Sequence, residues 1–158
     1  MCGKARWVAL ATEPLRLRST MTRLAWLTRL LFAGTDNFNH FERAILREVA
    51  FALPAEARVR LEARIAAVNR VQRLDGGREV NCFEMRGGNV VLSNATRIDD
   101  SSGERILARV RVDGAPKVRN SGCIWLVDGH FFSIEFDQST EHATAGDIER
   151  ITVKLEDR

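Results

Sequence analysis

Residues 122–136, GCIWLVDGHFFSIEF, form the longest concentration of large apolar side chains in the sequence. Asp128-Gly129 divides them into two apolar runs, and such a dipeptide tolerates the positive φ angles of a two-residue hairpin turn. We therefore predict that both runs are strands and that Val127 lies opposite His130. This hairpin would supply the floor of the hydrophobic core.

Regular alternation beyond the turn would separate the side chains of this hairpin into two faces. In that register Trp125 opposes Phe132. We expect the core face to comprise Trp125, Val127, Phe132, Ile134 and Phe136. The second face would carry three further large apolar residues, Ile124, Leu126 and Phe131. A sheet cannot leave both faces in water with that load, so either the N-terminal segment or another subunit should cover the second face.

The length and composition indicate one globular domain. A chain of 158 residues with 45% hydrophobic and 28% charged residues is long enough to bury a core without disulfides or metals. Its three cysteines show no CxxC spacing, which favours a reducing, cytoplasmic setting. No apolar run approaches the roughly 20 residues of a membrane-spanning helix, so we predict no membrane span.

Basic residues are concentrated at the N-terminus. Residues 1–34 hold six Lys or Arg residues against Glu13 alone, a balance of +5, whereas residues 35–158 hold the remaining 18 bases against 20 acids, a balance of −2. From residue 22 to residue 33 leucines recur at helical spacing, with arginines on the other side, which predicts a short helix over these residues. We therefore divide the chain into a basic N-terminal extension, residues 1–34, with a short amphipathic helix, and a single α+β domain, residues 35–158.

The hydrophobic period changes along the domain from that of helices to that of strands. Helical periods predict helices from about residue 38 to 53 and from residue 54 to about 74. Alternating patterns predict strands at residues 79–85, 90–93, 105–112, 123–127, 130–136 and around 151–155. We therefore predict the α+β class, with two or three N-terminal helices packed on one face of a five- to six-stranded antiparallel sheet.

No sequence pattern indicates a metal, a cofactor or a catalytic group. The three histidines, His40, His130 and His142, have no ligand spacing to one another or to the cysteines. Nucleophile-elbow, Walker A and dinucleotide-binding patterns do not occur in the sequence. We therefore predict no metal, no cofactor and no catalytic residue, which favours a protein that binds over an enzyme.

The leading hypothesis is a small non-catalytic binding or interaction protein. Its apolar surface would contact a partner protein or a second copy of the chain. The candidate contact residues are Trp26, Phe32, Ile124, Leu126 and Phe131. Size and architecture suit a bacterial inhibitor of the antitoxin or immunity type, which is an analogy of type without a family motif.

Two alternatives stay open. The first is an enzyme or small-ligand-binding domain with a pocket between helices and sheet, whose polar candidates are Glu84, Arg109, His130 and Glu135. The second is nucleic-acid binding through an arginine stripe on one sheet face, formed by Arg105, Arg109 and Arg111. Nucleic acid is the less favoured partner, because the domain has no net positive charge and no aromatic residue alternates with these arginines.

Overall fold

The computed structural model describes residues 34–114 and 119–157, and within them the predicted α+β class is confirmed. Two helices come first, α1 (His40–Ala52) and α2 (Ala55–Ala67). Eight strands follow: β1 (Arg70–Leu74), β2 (Glu79–Phe83), β3 (Met85–Arg86), β4 (Asn89–Val90), β5 (Glu104–Gly114), β6 (Arg119–Val127), β7 (His130–Phe136) and β8 (Ile148–Leu155). Neither of these helices is long and apolar enough to cross a membrane.

Six strands form one antiparallel sheet in the order β1-β2-β7-β6-β5-β8. β5, β6 and β7 pair in chain order, and β8 returns along the free side of β5. β3 and β4 form a separate two-stranded hairpin beyond the end of β2. Six strands in the main sheet agree with the predicted five or six.

α1 begins where Asn39 caps its N-terminus. The Asn39 side chain accepts a hydrogen bond from the backbone N–H of Glu42 at 2.8 Å, and the Glu42 carboxylate accepts one from the backbone N–H of Asn39 at 2.9 Å. This reciprocal capping box satisfies two donors that the first turn leaves without helical partners. Apolar residues at helical spacing then face the core, where the ring of Phe41 lies 5.8 Å from the ring of Phe136.

The hydrophobic core joins both helices to the same face of the sheet. Phe38, just before α1, stacks on Phe131 of β7 with 6.1 Å between the ring centroids. Leu61 of α2 is fully buried in the same cluster. The amphipathic helix predicted near the N-terminus, with Trp26 and Phe32, lies outside the described residues.

α2 ends at Ala67, so the prediction that it continues to about residue 74 is wrong. Residues 70–74 form β1, in which Val71 pairs with Cys82 of β2. Three of the four residues that connect these strands, residues 75–77, have positive φ, a conformation that glycine adopts freely and aspartate tolerates. The position of Val71 agrees with the apolar stripe of a helix and equally with the alternation of a strand. The turn at residues 75–77 allows β1 and β2 to pair, and this pairing favours the strand.

The hairpin between β6 and β7 turns at Asp128-Gly129, as predicted. The two turn residues have φ angles of 48° and 77°, and Val127 opposes His130. A side chain at Gly129 would also strike the backbone carbonyl oxygen of Asp99. Glycine is therefore required at this position both for its φ angle and for the close approach of another backbone.

A β-bulge shifts the pairing two residues beyond this turn. Leu126 opposes Phe131, but Trp125 opposes Ser133, so Phe132 is an extra residue in β7. The predicted register, with Trp125 opposite Phe132, is therefore wrong, and the following pairs shift by one residue as well. A bulge sets two residues of one strand against one residue of its neighbour and so interrupts the alternation of faces.

The bulge reassigns the faces of the hairpin. Five hairpin residues are buried in the core: Ile124, Leu126, Phe131, Ile134 and Phe136. The prediction that the first three of them lie on a second face, away from the core, is wrong, because the bulge in β7 places Phe131 on the same face as Ile134 and Phe136. Trp125 and Phe132 lie instead on the sheet face opposite the core, which we call the outer face, and Val127 also lies outside the core.

Candidate functional site

The structure does not bring together the four polar candidates Glu84, Arg109, His130 and Glu135. Arg109 and Glu135 share the outer face, where each lies beside Cys123, one on either side. Two strand spacings, about 10 Å, separate them. Glu84 contacts α2, and His130 contacts the loop before β5. These positions do not form one pocket.

Glu84 belongs to a buried ion cluster beneath α2. Its carboxylate lies 3.6 Å from the fully buried guanidinium of Arg64 and 2.6 Å from that of Arg86. Arg64 also donates to the backbone carbonyl oxygens of Phe131 at 3.1 Å and Val91 at 3.3 Å. Buried charges are stable when they are paired and hydrogen-bonded. The cluster therefore ties α2 to β7 and to the segment after β4, and we interpret it as structural.

His130 is buried between two backbone carbonyl groups. Its Nδ1 lies 2.9 Å from the carbonyl oxygen of Asp128, and its Nε2 lies 3.1 Å from that of Ser93. Beside it, the N–H of Ile98 donates to the carbonyl oxygen of Gly129 at 2.7 Å. Both ring nitrogens therefore face backbone groups, an arrangement that fixes the hairpin turn against the preceding loop and leaves neither nitrogen directed at a substrate.

Arg109 and Glu135 have separate neighbours on the outer face. Arg109 donates to the Glu156 carboxylate at 2.8 Å, which links β5 to the residue after β8. Burial raises the pKa of Glu135, and the negative charges of Glu79 and Glu104 raise it further. A carboxyl group in this environment binds its proton more tightly than usual. The outer face is therefore partly shielded from water around Glu135.

The arginine stripe predicted for nucleic acid is divided by a second bulge. In β5, Ile106 opposes Trp125 and Ala108 opposes Ile124, so the residue between them is extra. Arg105 therefore lies on the core side of the sheet, where it forms an ion pair with Asp99. The other two members of the stripe are paired with nearby carboxylates, Arg109 with Glu156 and Arg111 with Asp113. The prediction that all three share one sheet face is wrong.

The thiol of Cys82 is part of the core. Its Sγ donates to the backbone carbonyl oxygen of Phe132 at 3.0 Å, and burial raises its pKa to about 12. A thiol with that pKa supplies almost no thiolate at neutral pH. Among residues 34–114 and 119–157, no group of three or more His, Cys, Asp or Glu side chains could hold a metal ion.

An aromatic side chain projects from the end of α1. Phe51 is 72% exposed, and Val59 on the first half of α2 is 64% exposed. The Arg58 guanidinium lies over the Phe51 ring, 5.0 Å from its centroid, and donates to the backbone carbonyl oxygens of Ala50 and Phe51. Because these hydrogen bonds anchor Arg58, its stacking holds the Phe51 ring in a defined position outside the core.

A groove runs between the two helices on the same side. It encloses about 440 Å³, and its apolar lining comprises Leu46, Ala50, Ile65, Ala66 and Val68. Arg43 and Arg47 line its α1 side, and Glu62 lines its α2 side. Arg47 is one turn before Phe51 and Glu62 is one turn after Val59, so the groove adjoins the two exposed apolar residues. We call Phe51, Val59 and this groove the helix-pair surface.

Comparison with known proteins adds no relative. No family model, curated protein or solved structure matches this chain.

The helix-pair surface was not predicted from the sequence, although the sequence contains a signal for it. Phe51 falls outside the apolar arc of Phe41, Ile45 and Val49 on the helical wheel. A large apolar residue on the polar side of a surface helix is that signal.

Proposed function

We propose that the protein is a small non-catalytic binding protein that contacts a partner protein through the helix-pair surface. The observation that carries this proposal is the exposure of Phe51, 72%, beside that of Val59, 64%. Burying a phenylalanine side chain contributes about 2 kcal/mol. A chain that holds this ring in water has that free energy available for association.

The composition of the helix-pair surface is that of an interface centre. Aromatic residues and arginine are enriched at the centres of protein interfaces and supply most of the residues with large effects on affinity. Here Phe51 and Arg58 are stacked on each other, so their side chains are ordered before a partner arrives. Preordered side chains lose less conformational entropy on binding, which favours affinity.

The charges around the groove favour an acidic, amphipathic helix as the partner. Arg47 is 73% exposed and lies 3.4 Å from Glu48, an exposed pair that water screens strongly. Arg43 lies one turn earlier on the same rim. An apolar groove with such a rim fits a helix that inserts apolar side chains and sets carboxylates against the arginines. A second copy of this surface would offer the arginines only Glu62 as a groove carboxylate, fewer than an acidic helix supplies.

Site-specific photo-crosslinking in the native host tests this proposal. A photoreactive phenylalanine analogue replaces Phe51 in one experiment and Val90, 44% exposed on the β3–β4 hairpin, in the matched control. We expect position 51, and not position 90, to crosslink to one protein through an acidic helical segment. That segment is then synthesised, and Phe51→Ala should weaken its binding by tenfold or more while Val90→Ala leaves it unchanged.

Several results would contradict the proposal. They are identical crosslinked products from positions 51 and 90, no crosslink at position 51, and an unchanged affinity of Phe51→Ala for the segment. A crosslink from position 51 to a second copy of the chain would also contradict an acidic partner and would assign the surface to a homodimer.

A cleft between helices and sheet supports small-ligand binding as a second candidate function. It encloses about 490 Å³ and combines apolar walls at Leu107 and Leu155 with charged groups, among which acidic side chains outnumber basic ones. None of the four polar candidates predicted from the sequence lines this cleft. Its charge favours a cationic ligand. A shift in melting temperature with a diamine, absent in Asp157→Asn, would support it, and equal shifts in both proteins would contradict it.

A further inference from the structure

The middle of the outer face is buried, although the helices of the described residues pack on the core face. Asn81 of β2 opposes Ser133 of β7, which opposes Trp125 of β6, so these three side chains form one row across the outer face. Asn81 and Ser133 are each 1% exposed. Phe83, next on the same face of β2, is 6% exposed. Polar and aromatic side chains buried to this degree require a layer of protein above them.

The environment of Glu135 gives the same indication. This carboxyl group lies on the outer face, two residues from Ser133 along β7. Burial is the main cause of its raised pKa. Phe132 meets Phe83 edge to face, with 5.5 Å between their ring centroids, in the same region. The covered area is therefore apolar at one end and holds a partly desolvated carboxyl group at the other.

Neither described helix supplies this layer. The helices meet the sheet on the core side, through contacts such as Phe38 on Phe131 and Phe41 on Phe136. The four residues 115–118 span at most about 14 Å. They connect the last residue of β5, Gly114, to the first residue of β6, Arg119, at one end of the sheet. Trp125 lies six residues further along β6, about 20 Å away.

Residues 1–33 are long enough and enter from the correct side. The described chain starts at Gly34, and Thr35 pairs with Val71 of β1 through hydrogen bonds of 2.9 Å and 2.7 Å. β1 lies beside β2, whose Asn81 belongs to the covered row. Three strand spacings, about 14 Å, separate β1 from β6. A twelve-residue helix is about 18 Å long and would span that distance.

We propose that residues 1–33 fold back over the outer face, with the apolar side of the helix predicted between residues 22 and 33 packed on Trp125, Phe132 and Phe83. Leu24, Leu27 and Leu31 share one side of that helix. Arg29, on the opposite side of the helix, remains in water. The N-terminal segment is then the second helical layer of the protein, and the outer face is closed within one chain. This inference is independent of the helix-pair surface.

Hydroxyl-radical footprinting of the full chain measures the exposure of these aromatic side chains directly. We expect Trp125, Phe132 and Phe83 to be protected in the natural sequence and to be oxidised several-fold faster in the full-length double variant Leu27→Glu, Leu31→Glu. Phe51 is the internal control, because it is exposed and lies on the other side of the molecule. Its oxidation rate should be the same in both proteins.

Two outcomes of the footprinting would overturn the proposal. One is equal protection of the three aromatic side chains in both proteins with Phe51 unchanged, and the other is protection that disappears on dilution, which would assign the cover to a second copy. Limited trypsin digestion of the natural chain keeps the test decisive if the double variant does not fold. Cleavage after Arg23 and Arg29 should be slower than after Arg86, whose side chain is 73% exposed, and faster cleavage at the first two sites would contradict docking.

Discussion

Arg73 of β1 and Glu42 of α1 form a two-pronged ion pair, with both nitrogen–oxygen distances at 2.7 Å. The Glu42 carboxylate is fully buried, and the Arg73 side chain is 23% exposed. The same carboxylate accepts the backbone N–H of Asn39 in the capping box. One side chain therefore determines both where α1 begins and how it lies against the edge of the sheet.

We expect Glu42→Ala to lower the free energy of unfolding by about 3 kcal/mol, because it removes a cap and leaves the Arg73 guanidinium without its carboxylate. Urea denaturation measures this change. The control is Glu48→Ala, which removes an exposed pair with Arg47 on the same helix and should cost less than about 0.5 kcal/mol. Equal losses from the two substitutions would contradict the role assigned to Glu42.

The hairpin turn could be predicted from the sequence, but the bulge beside it could not. Asp128-Gly129 specifies its own backbone conformation through positive φ angles. The bulge at Phe132 depends instead on which side chains fill the core, since Phe131 and Ile134 reach it only if one residue is skipped. An apolar run with a large residue at almost every position offers two registers with similar burial, and local pattern does not choose between them.

The same limit applies to the candidate site. The pattern of α1 predicted its buried side, but contacts between residues far apart in sequence, such as Arg73 with Glu42 or Arg105 with Asp99, follow only from the sheet order. The sequence therefore does not indicate whether polar residues distant along the chain, such as Glu84 and Glu135, lie close together in the fold. Phe51 departed visibly from the helical pattern, and it marks the surface on which the proposed function depends.

Glu135→Gln should stabilise the protein at neutral pH. Burial, together with the charges of Glu79 and Glu104, raises the pKa of Glu135 above its ordinary value of 4.5. Between that value and the raised one the folded state binds more protons than the unfolded state, so stability falls as pH rises through this window. Glutamine carries no charge at any pH, so the advantage of the variant should be greatest at neutral pH.

Urea denaturation of both proteins at a series of pH values measures the difference. The gap between Glu135→Gln and the natural sequence should close as pH falls towards 4.5. Glu149→Gln, at an exposed position on β8, is the control and should show no such trend. A natural protein that is more stable than Glu135→Gln at neutral pH would contradict the assigned shift.

Asp99→Asn should show the opposite dependence on pH. Burial alone would raise the pKa of Asp99, but hydrogen bonds from Arg105 and Ser101 outweigh it and hold the pKa below its ordinary value of 3.8. The stabilisation from the ionised group is therefore fully present above 3.8 and is lost as pH falls through the lower, folded-state value. At neutral pH we expect the variant to lose about 1 to 2 kcal/mol. Thermal melts in which this loss persists unchanged in strong acid would refute it.

Phe51→Ala should leave the fold almost unaffected. The ring is 72% exposed and stacks on Arg58, so its removal should change the free energy of unfolding by less than about 1 kcal/mol. Phe41→Ala, ten residues earlier on the buried side of α1, should cost about 4 kcal/mol. Urea denaturation of the two variants makes the comparison. A large loss from Phe51→Ala would give the ring a structural role, whereas a small one leaves its free energy of burial available to a partner.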